Sequence, residues 1–376
     1  MIYLDHAATA PVPAEVADTV RDTLVNLYGN PSSQYGAGRE AKLLVDRSRE
    51  TVAQALGCEA ERLVFTSCGT ESDNWALRLA VHQGRHRGRH IITTAVEHSA
   101  VLETCRQLEQ EGCRVTYLRP DSSGRIESGQ VAAALCGDTV LVSMMLVNNE
   151  TGCVFPVREV AAALQGTPVL LHTDAVQGFM NVPFRAAVLG ADLISVSGHK
   201  LGAPKGVGAL YIGERVRSPR PLLAGGGQEH GLRSGTEATA QLAGFARAVE
   251  LRRFALAETL ERMARLKAYA LERLLALPGV ERIGAGTAPH IIAVSLVGYP
   301  SANIVEELGA QGICISAGSA CHRGKASHVF EAMGLPKAVK TGAIRISLGP
   351  DTQEWELDRL TEALSDHMKK RFPMLA

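Results

Sequence analysis

The 376-residue chain has the length of two to three domains of about 150 residues each and can bury a substantial core. Its 46% hydrophobic and 21% charged residues are globular proportions that exclude an intrinsically disordered chain. With 39 Lys plus Arg against 39 Asp plus Glu there is no net field to draw in nucleic acid or an anionic membrane, so a charged ligand must be held by local groups.

The amino-terminal run Met1-Ile2-Tyr3-Leu4-Asp5-His6 has no basic segment followed by an apolar stretch, and no signal peptide is expected. The longest nearly uninterrupted apolar run, Val140 to Val147, is far below the roughly 20 residues that cross a bilayer. The eight cysteines (58, 68, 105, 113, 136, 153, 314 and 321) include no C-x-x-C pair, which points to a reducing, cytoplasmic setting.

Short apolar runs with abrupt polar ends predict strands buried on both faces at 63–66, 91–94, 140–147, 169–171 and 193–196. Helical spacing between them predicts helices over Ser99 to Gln110 and Val157 to Leu164. That alternation implies an α/β fold with a mainly parallel sheet and ligand chemistry at the carboxyl ends of the strands. Ala238 to Leu277 reads as one long connecting helix with a break near Ala255. Strands at 291–296 and 343–348, and an amphipathic helix from Asp351 onward marked by Glu354, Leu357, Leu360 and Leu364, then predict a smaller α+β domain.

Four motifs stand at predicted strand ends or in loops. Ser197-Gly198-His199-Lys200 places a lysine just past a buried strand, suited to a Schiff base with a carbonyl cofactor, although a solvated loop lysine is the plain alternative. Asp174 follows the strand 169–171 and could keep a pyridine nitrogen protonated, or merely cap a helix. Gly69 and Thr70 open a helix after the strand 63–66, where free N–H groups suit a phosphate and where Thr70-x-x-Asp73 also reads as a capping box. Cys321 sits between small residues and the basic His322, Arg323 and Lys325, which would lower its thiol pKa and make it the reactive cysteine.

Three patterns are set aside. Cys314, Cys321, His322 and His328 fit no structural zinc spacing, so no metal is expected. Gly36-Ala37-Gly38-Arg39-Glu40-Ala41 matches a dinucleotide fingerprint but follows no strand. Ser197-x-x-Lys200, Ser72-Asp73-Asn74 and Lys340-Thr341-Gly342 reproduce the short motifs of penicillin-recognising serine enzymes, but in the wrong order.

Taken together, an ordered set of motifs spans almost the whole chain. They are Tyr3-Leu4-Asp5-His6-Ala7-Ala8-Thr9, Gly29-Asn30-Pro31-Ser32-Ser33, Gly69-Thr70-Glu71-Ser72-Asp73-Asn74, Glu97-His98, Asn148-Asn149-Glu150-Thr151-Gly152, Asp174-Ala175-Val176-Gln177, Ser197-Gly198-His199-Lys200, Arg233-Ser234-Gly235-Thr236, Gly318-Ser319-Ala320-Cys321 and Arg345-Ile346-Ser347-Leu348-Gly349. With them the sequence resembles the NifS-like cysteine desulfurases, pyridoxal-phosphate enzymes of aminotransferase class V with fold type I.

The resemblance implies that Lys200 holds the cofactor covalently and moves the proton at Cα of L-cysteine. It further implies that Asp174 pairs the pyridine nitrogen, Gln177 bonds the ring hydroxyl oxygen and His98 stacks on the ring. The phosphate would sit among Gly69, Thr70, Ser197 and His199, with Thr236 reaching in from the second subunit of a homodimer. Asn149 and Arg345 would bind the substrate carboxylate, an arginine being suited to bidentate pairing. Cys321 would take the sulfur as a persulfide, leaving L-alanine, and pass it to an acceptor protein such as an iron–sulfur scaffold. A large cofactor-binding domain is expected over residues 15–250, with residues 1–14 and 251–376 forming the small domain that carries Cys321. The rival readings are a selenocysteine lyase or other β-lyase on the same scaffold, a serine acyl-enzyme hydrolase, and a catalytically silent cofactor-binding scaffold.

Overall fold

The computed structural model describes residues 1–318, 327–371 and 373. Cys321 and its basic neighbours His322, Arg323 and Lys325 lie outside them.

The central sheet has seven strands in the order Leu63–Thr66, Gly208–Ile212, Leu193–Ser197, Leu170–Asp174, Thr139–Ser143, His90–Thr94 and Arg114–Leu118. Gly208–Ile212 runs antiparallel to both neighbours, and the other pairings are parallel. Successive side chains of a strand point to opposite faces, so each strand feeds two cores. Ile92, Leu171 and Ile194 enter the core that includes Val52, Leu56 and Phe245, while Ile91, Leu170 and Leu193 enter the one around Trp75, Leu77 and Val101.

Two strands of this sheet escape the apolar pattern, for different reasons. Arg114–Leu118 is an edge strand, exposed to partly exposed over its first four residues, and Gly208–Ile212 begins with two small residues. The run 140–147 overreaches, because the strand ends at Ser143. Met144 to Val147 remain buried, with the Met144 and Leu146 N–H still donating to His172 O and Asp174 O, and Asn148 closes the following turn by accepting from the backbone N–H of Glu150 and Thr151.

The predicted break at Ala255 is present and divides two helices, Thr239–Phe254 and Leu256–Leu275. The first packs on the helices Ala14–Asn26 and Gly36–Leu56. The second contributes Met263, Leu266, Ala270 and Leu274 to a separate core with Ile2, Leu4, Ile292, Val294, Ile344 and Ile346. That core covers an antiparallel sheet of Ser316–Ala317, Ala343–Ser347, Ile291–Leu296 and Val280–Arg282. The last helix, Glu354–Lys370, buries Leu357, Leu360 and Leu364 as their spacing required. It starts at Glu354 instead of Asp351, where Gln353 and Glu356 form a capping box. Among the described residues no helix is long and apolar enough to cross a membrane.

Candidate functional site

A cavity of about 430 Å³ opens at the carboxyl ends of the central strands. Each strand delivers its polar groups there by ending: Leu63–Thr66 leads to Gly69 and Thr70, His90–Thr94 to His98, Leu170–Asp174 to Asp174 and Gln177, and Leu193–Ser197 to Ser197, His199 and Lys200. Asn149 lines it from the turn after Thr139–Ser143, and Arg345 from the second sheet. Thr236 is not brought to this cavity and lines a smaller one with Arg233 and Gly206.

Lys200 Nζ donates to the backbone carbonyls of Ala7 at 2.7 Å and Ala8 at 2.9 Å, which tethers the amine to the amino-terminal segment. Asp174 is 6% exposed and accepts from the Val176 N–H at 2.8 Å. That bond makes Asp174 a turn former and not a helix cap, since no helix follows the strand directly. Burial raises its pKa to about 6 with help from the nearby Asp73 charge, while His98 opposes the rise. A carboxylate in this position gains from a protonated nitrogen placed against it.

His98 Nδ1 accepts from the Ala100 N–H at 3.2 Å, capping the helix Ser99–Gln110. The ring is thereby held in one orientation with its hydrogen on Nε2. Burial lowers the pKa of His98, and also that of His199, to about 4 in the latter case.

The helix Gly69–Gly84 begins with Cys68 as N-cap, whose side chain makes no capping bond. Thr70 is therefore inside the first turn and not the cap of a Thr70-x-x-Asp73 box. A Cβ on Gly69 would lie 2.7 Å from Val176 Cγ2, so only glycine lets this helix start sit against that loop. Glu71 turns away to Arg233 at 3.0 Å and accepts from the Ser67 N–H. Asp73 does line the cavity, but burial raises its pKa to about 7, which weakens any repulsion of an anion.

Four buried side-chain atoms of residues lining the cavity lack hydrogen-bond partners among the described residues: Ser197 Oγ, Gln177 Oε1, Asp73 Oδ1 and Arg345 Nε. An orphaned hydroxyl beside a helix start suits a phosphate. With Lys200 and Asp174 on other walls, the donor set fits pyridoxal phosphate. Gln177 departs from its expected role in one respect. Its Nε2 donates to Ala7 O at 2.8 Å, so donation to a ring oxygen requires that bond to be exchanged.

Arg345 donates to Asn149 O at 2.9 Å and pairs with Asp5 at 2.8 Å, while Asp5 also accepts from Ser316 Oγ at 2.8 Å. Asp5 and Ser316 both line the cavity, and sequence reasoning gave neither a role. The signal for Asp5 was its place in the ordered Tyr3-to-Thr9 motif; Ser316 had none beyond its nearness to Cys321. Lys340 bonds Glu331 at 2.6 Å and does not line the cavity, so the three serine-enzyme motifs are not assembled into one site.

Beneath His98, Glu97 is fully buried, accepts from Thr94 Oγ1 and the Met145 N–H, and has its pKa raised by burial to about 8. A carboxyl raised in the folded state stabilises below its unfolded pKa and loses that contribution as pH rises through the folded value. From pH 6.5 to 8 the raised carboxyls Glu97, Asp73 and Glu150, the last also to about 7, lose their contribution, while the buried histidines, part-protonated near pH 6.5 in the unfolded chain alone, act in the opposite sense. The Glu97 share is therefore read as a difference between two proteins. From pH 6.5 to 8 the stability of Glu97→Gln should change more favourably than that of wild type by about 1 kcal/mol, given about 1.36 kcal/mol per pKa unit. Urea unfolding at pH 6.5 and 8 checks this, and equal slopes in both proteins would contradict it.

A model of the family described as "Aminotransferase class-V" matches residues 2–360. A protein from Nostoc sp. named cysteine desulfurase is 40% identical over 375 residues, covering 98% of this chain and 93% of that protein. A solved structure titled NifS-like protein superposes with a TM-score of 0.92 at 36% identity, covering 98% of this chain and 100% of the other. A second, titled SspA in complex with cysteine, has a TM-score of 0.81 at 32% identity, over 93% of this chain and 99% of that one. The match along nearly the full length, in sequence and in fold, shows that this chain belongs to the aminotransferase class-V family.

Proposed function

We propose that this protein is a cysteine desulfurase that converts L-cysteine to L-alanine and takes the sulfur onto Cys321. The observation that carries this reading is the gathering of Lys200, Asp174 and Arg345 around one cavity with the two flanks of the Cys321 segment beside it. Ser316 lines the cavity, and Ser327 bonds Glu150, the neighbour of the lining residue Asn149. The structure titled SspA in complex with cysteine supports the choice of substrate.

Pyridoxal phosphate, held through Lys200 Nζ, supplies an electron sink for the charge left at Cα. Asp174 stabilises that sink by holding a proton on the pyridine nitrogen. Arg345, with Asn149, would fix the substrate carboxylate and so point Cα–H at Lys200 Nζ, which, freed once the substrate amine takes its place, would remove the proton and later return it. The Cys321 thiolate attacks the substrate sulfur: an S–S bond forms, the Cβ–S bond breaks, and Cβ is protonated as alanine departs. The balance is one cysteine and one thiol giving one alanine and one persulfide.

Residues 15–250 form the cofactor domain in this reading, and residues 1–14 with 251–376 the small domain. The core that joins Ile2 and Leu4 directly to Met263 and residues beyond supports that division. Thr236 serves the cavity of a second subunit in a homodimer, a role in keeping with its place outside its own cavity. The enzyme works in the cytoplasm and delivers sulfur to an acceptor protein.

Purified protein loaded with pyridoxal phosphate and given L-cysteine with a thiol reductant should release alanine and sulfide in equal amounts, with a shift of the cofactor's visible absorbance. A cofactor band with no alanine would leave a binding scaffold as the better reading. Faster turnover of selenocysteine, independent of Cys321, would favour the lyase.

A further inference from the structure

The amino-terminal edge of the central sheet carries a cluster unrelated to the cavity. His90 opens its strand, and four residue steps of about 3.3 Å separate it from the end that leads to His98. Cys136 and Asp138 lie in the turn before the strand Thr139–Ser143. Cys136 Sγ is 3.0 Å from His90 Nδ1, 3.1 Å from Asp138 Oδ1 and 3.2 Å from Thr139 Oγ1. The imidazole, thiol and carboxylate atoms all fall within 4.8 Å of one another.

From this geometry we propose that His90 Nδ1, Cys136 Sγ and Asp138 Oδ1 form a binding site for one thiophilic divalent cation of the Zn²⁺ class.

Three features prepare the site. His90 Nε2 lies 2.8 Å from Thr116 Oγ1, and placing its hydrogen there leaves the Nδ1 lone pair facing Cys136 Sγ and Thr139 Oγ1, the latter at 2.8 Å. His90 is fully buried where its strand begins, so packing holds the ring in place. The turn is clamped to the strand, with His90 N–H donating to Asp138 O at 3.0 Å and a Cβ on Gly88 coming within 2.1 Å of the same carbonyl oxygen.

A zinc ion with bonds of about 2.3 Å to sulfur and about 2.0 Å to nitrogen needs only about half an ångström of opening between Sγ and Nδ1. Without it, a guanidinium fills the role. Arg114 bridges Cys136 Sγ at 3.1 Å and Asp138 Oδ1 at 3.0 Å, from a side chain that is 56% exposed. On binding, the thiol proton leaves to solvent, a metal–sulfur bond forms, and Thr139 Oγ1 or water completes four ligands. No spacing rule finds this site, because His90 lies 46 residues from Cys136 and reaches it only through the pairing of adjacent strands.

The test uses Cd²⁺ as probe on the cofactor-loaded protein, reading the ultraviolet charge-transfer band of thiolate-bound cadmium and the stoichiometry by equilibrium dialysis. Wild type should bind one more equivalent than Cys136→Ser, with the corresponding loss of band intensity, and Asp138→Asn should bind that equivalent at least tenfold more weakly. Arg114→Ala, which removes the competing cation, should bind it severalfold more tightly. Equal stoichiometry in wild type and Cys136→Ser would overturn the site, as would weaker binding in Arg114→Ala. The two altered ligands lie in a partly exposed turn and Arg114 at the exposed start of an edge strand, and unchanged melting temperatures without metal would separate ligand loss from misfolding.

Discussion

Lys200→Ala should reduce alanine formation from L-cysteine by about 10²–10⁴-fold or more, the range expected when a positioned proton carrier is removed. The loss is large because one amine has two tasks, anchoring the cofactor and moving the Cα proton, and no second amine lines the cavity among the described residues. Lys200→Arg should not restore the rate, because a guanidinium stays protonated and cannot act as a base. Folding should survive, as water can replace the side chain's hydrogen bonds to the Ala7 and Ala8 carbonyls. Single-turnover alanine release, with circular dichroism as control, reads the result. Activity within threefold of wild type would remove Lys200 from the mechanism.

Cys321→Ala should abolish persulfide formation and alanine release while the cofactor absorbance remains. Asp174, Ser197 and the other groups proposed to hold the cofactor belong to the cavity wall and do not depend on that thiol. The thiol itself cannot be replaced by water, since the reaction needs a nucleophile that accepts sulfur. Cys68 also lines the cavity, at the start of the helix Gly69–Gly84, and is the alternative acceptor within reach. If Cys321→Ala retained turnover that the double variant with Cys68→Ala lost, the sulfur-accepting role would pass to Cys68.

The two variants probe different layers of the site. Lys200, Asp174 and Ser197 stand at ends of strands whose every residue is buried, so their positions are fixed by the central core. Arg345 arrives from the other sheet and is held by Asp5, Ser316 and Asn149 O, contacts that join the amino terminus, the small sheet and the turn after Thr139–Ser143. In the proposed reaction, a substrate carboxylate bound by Arg345 would thus be positioned against Lys200 by the relative placement of the two sheets.

Residues that face one another because of local chain direction were legible without coordinates. A continuous apolar run such as Leu193 to Val196 can only be a strand covered on both sides, and such a strand in a parallel sheet must present its following residues at the carboxyl edge. Lys200, Asp174 and Gly69 followed from that. The Leu357, Leu360, Leu364 spacing likewise identified its helix face, because a 3.6-residue period leaves one side to bury.

Tertiary structure alone decided the rest. The pairing of Arg345 with Asp5 spans 340 positions and depends on the amino terminus docking beside the strand Ala343–Ser347. Edge strands such as Arg114–Leu118 lack the double burial that writes itself into a sequence. The pKa of Glu97 and the His90–Cys136–Asp138 cluster arise from burial and strand register, which bring together groups with no relation in spacing. Sequence fixes what each segment must bury, through the periodicity of its apolar residues. Which polar groups then meet is set by how the buried faces pack, since contact across a core carries no sequence period of its own.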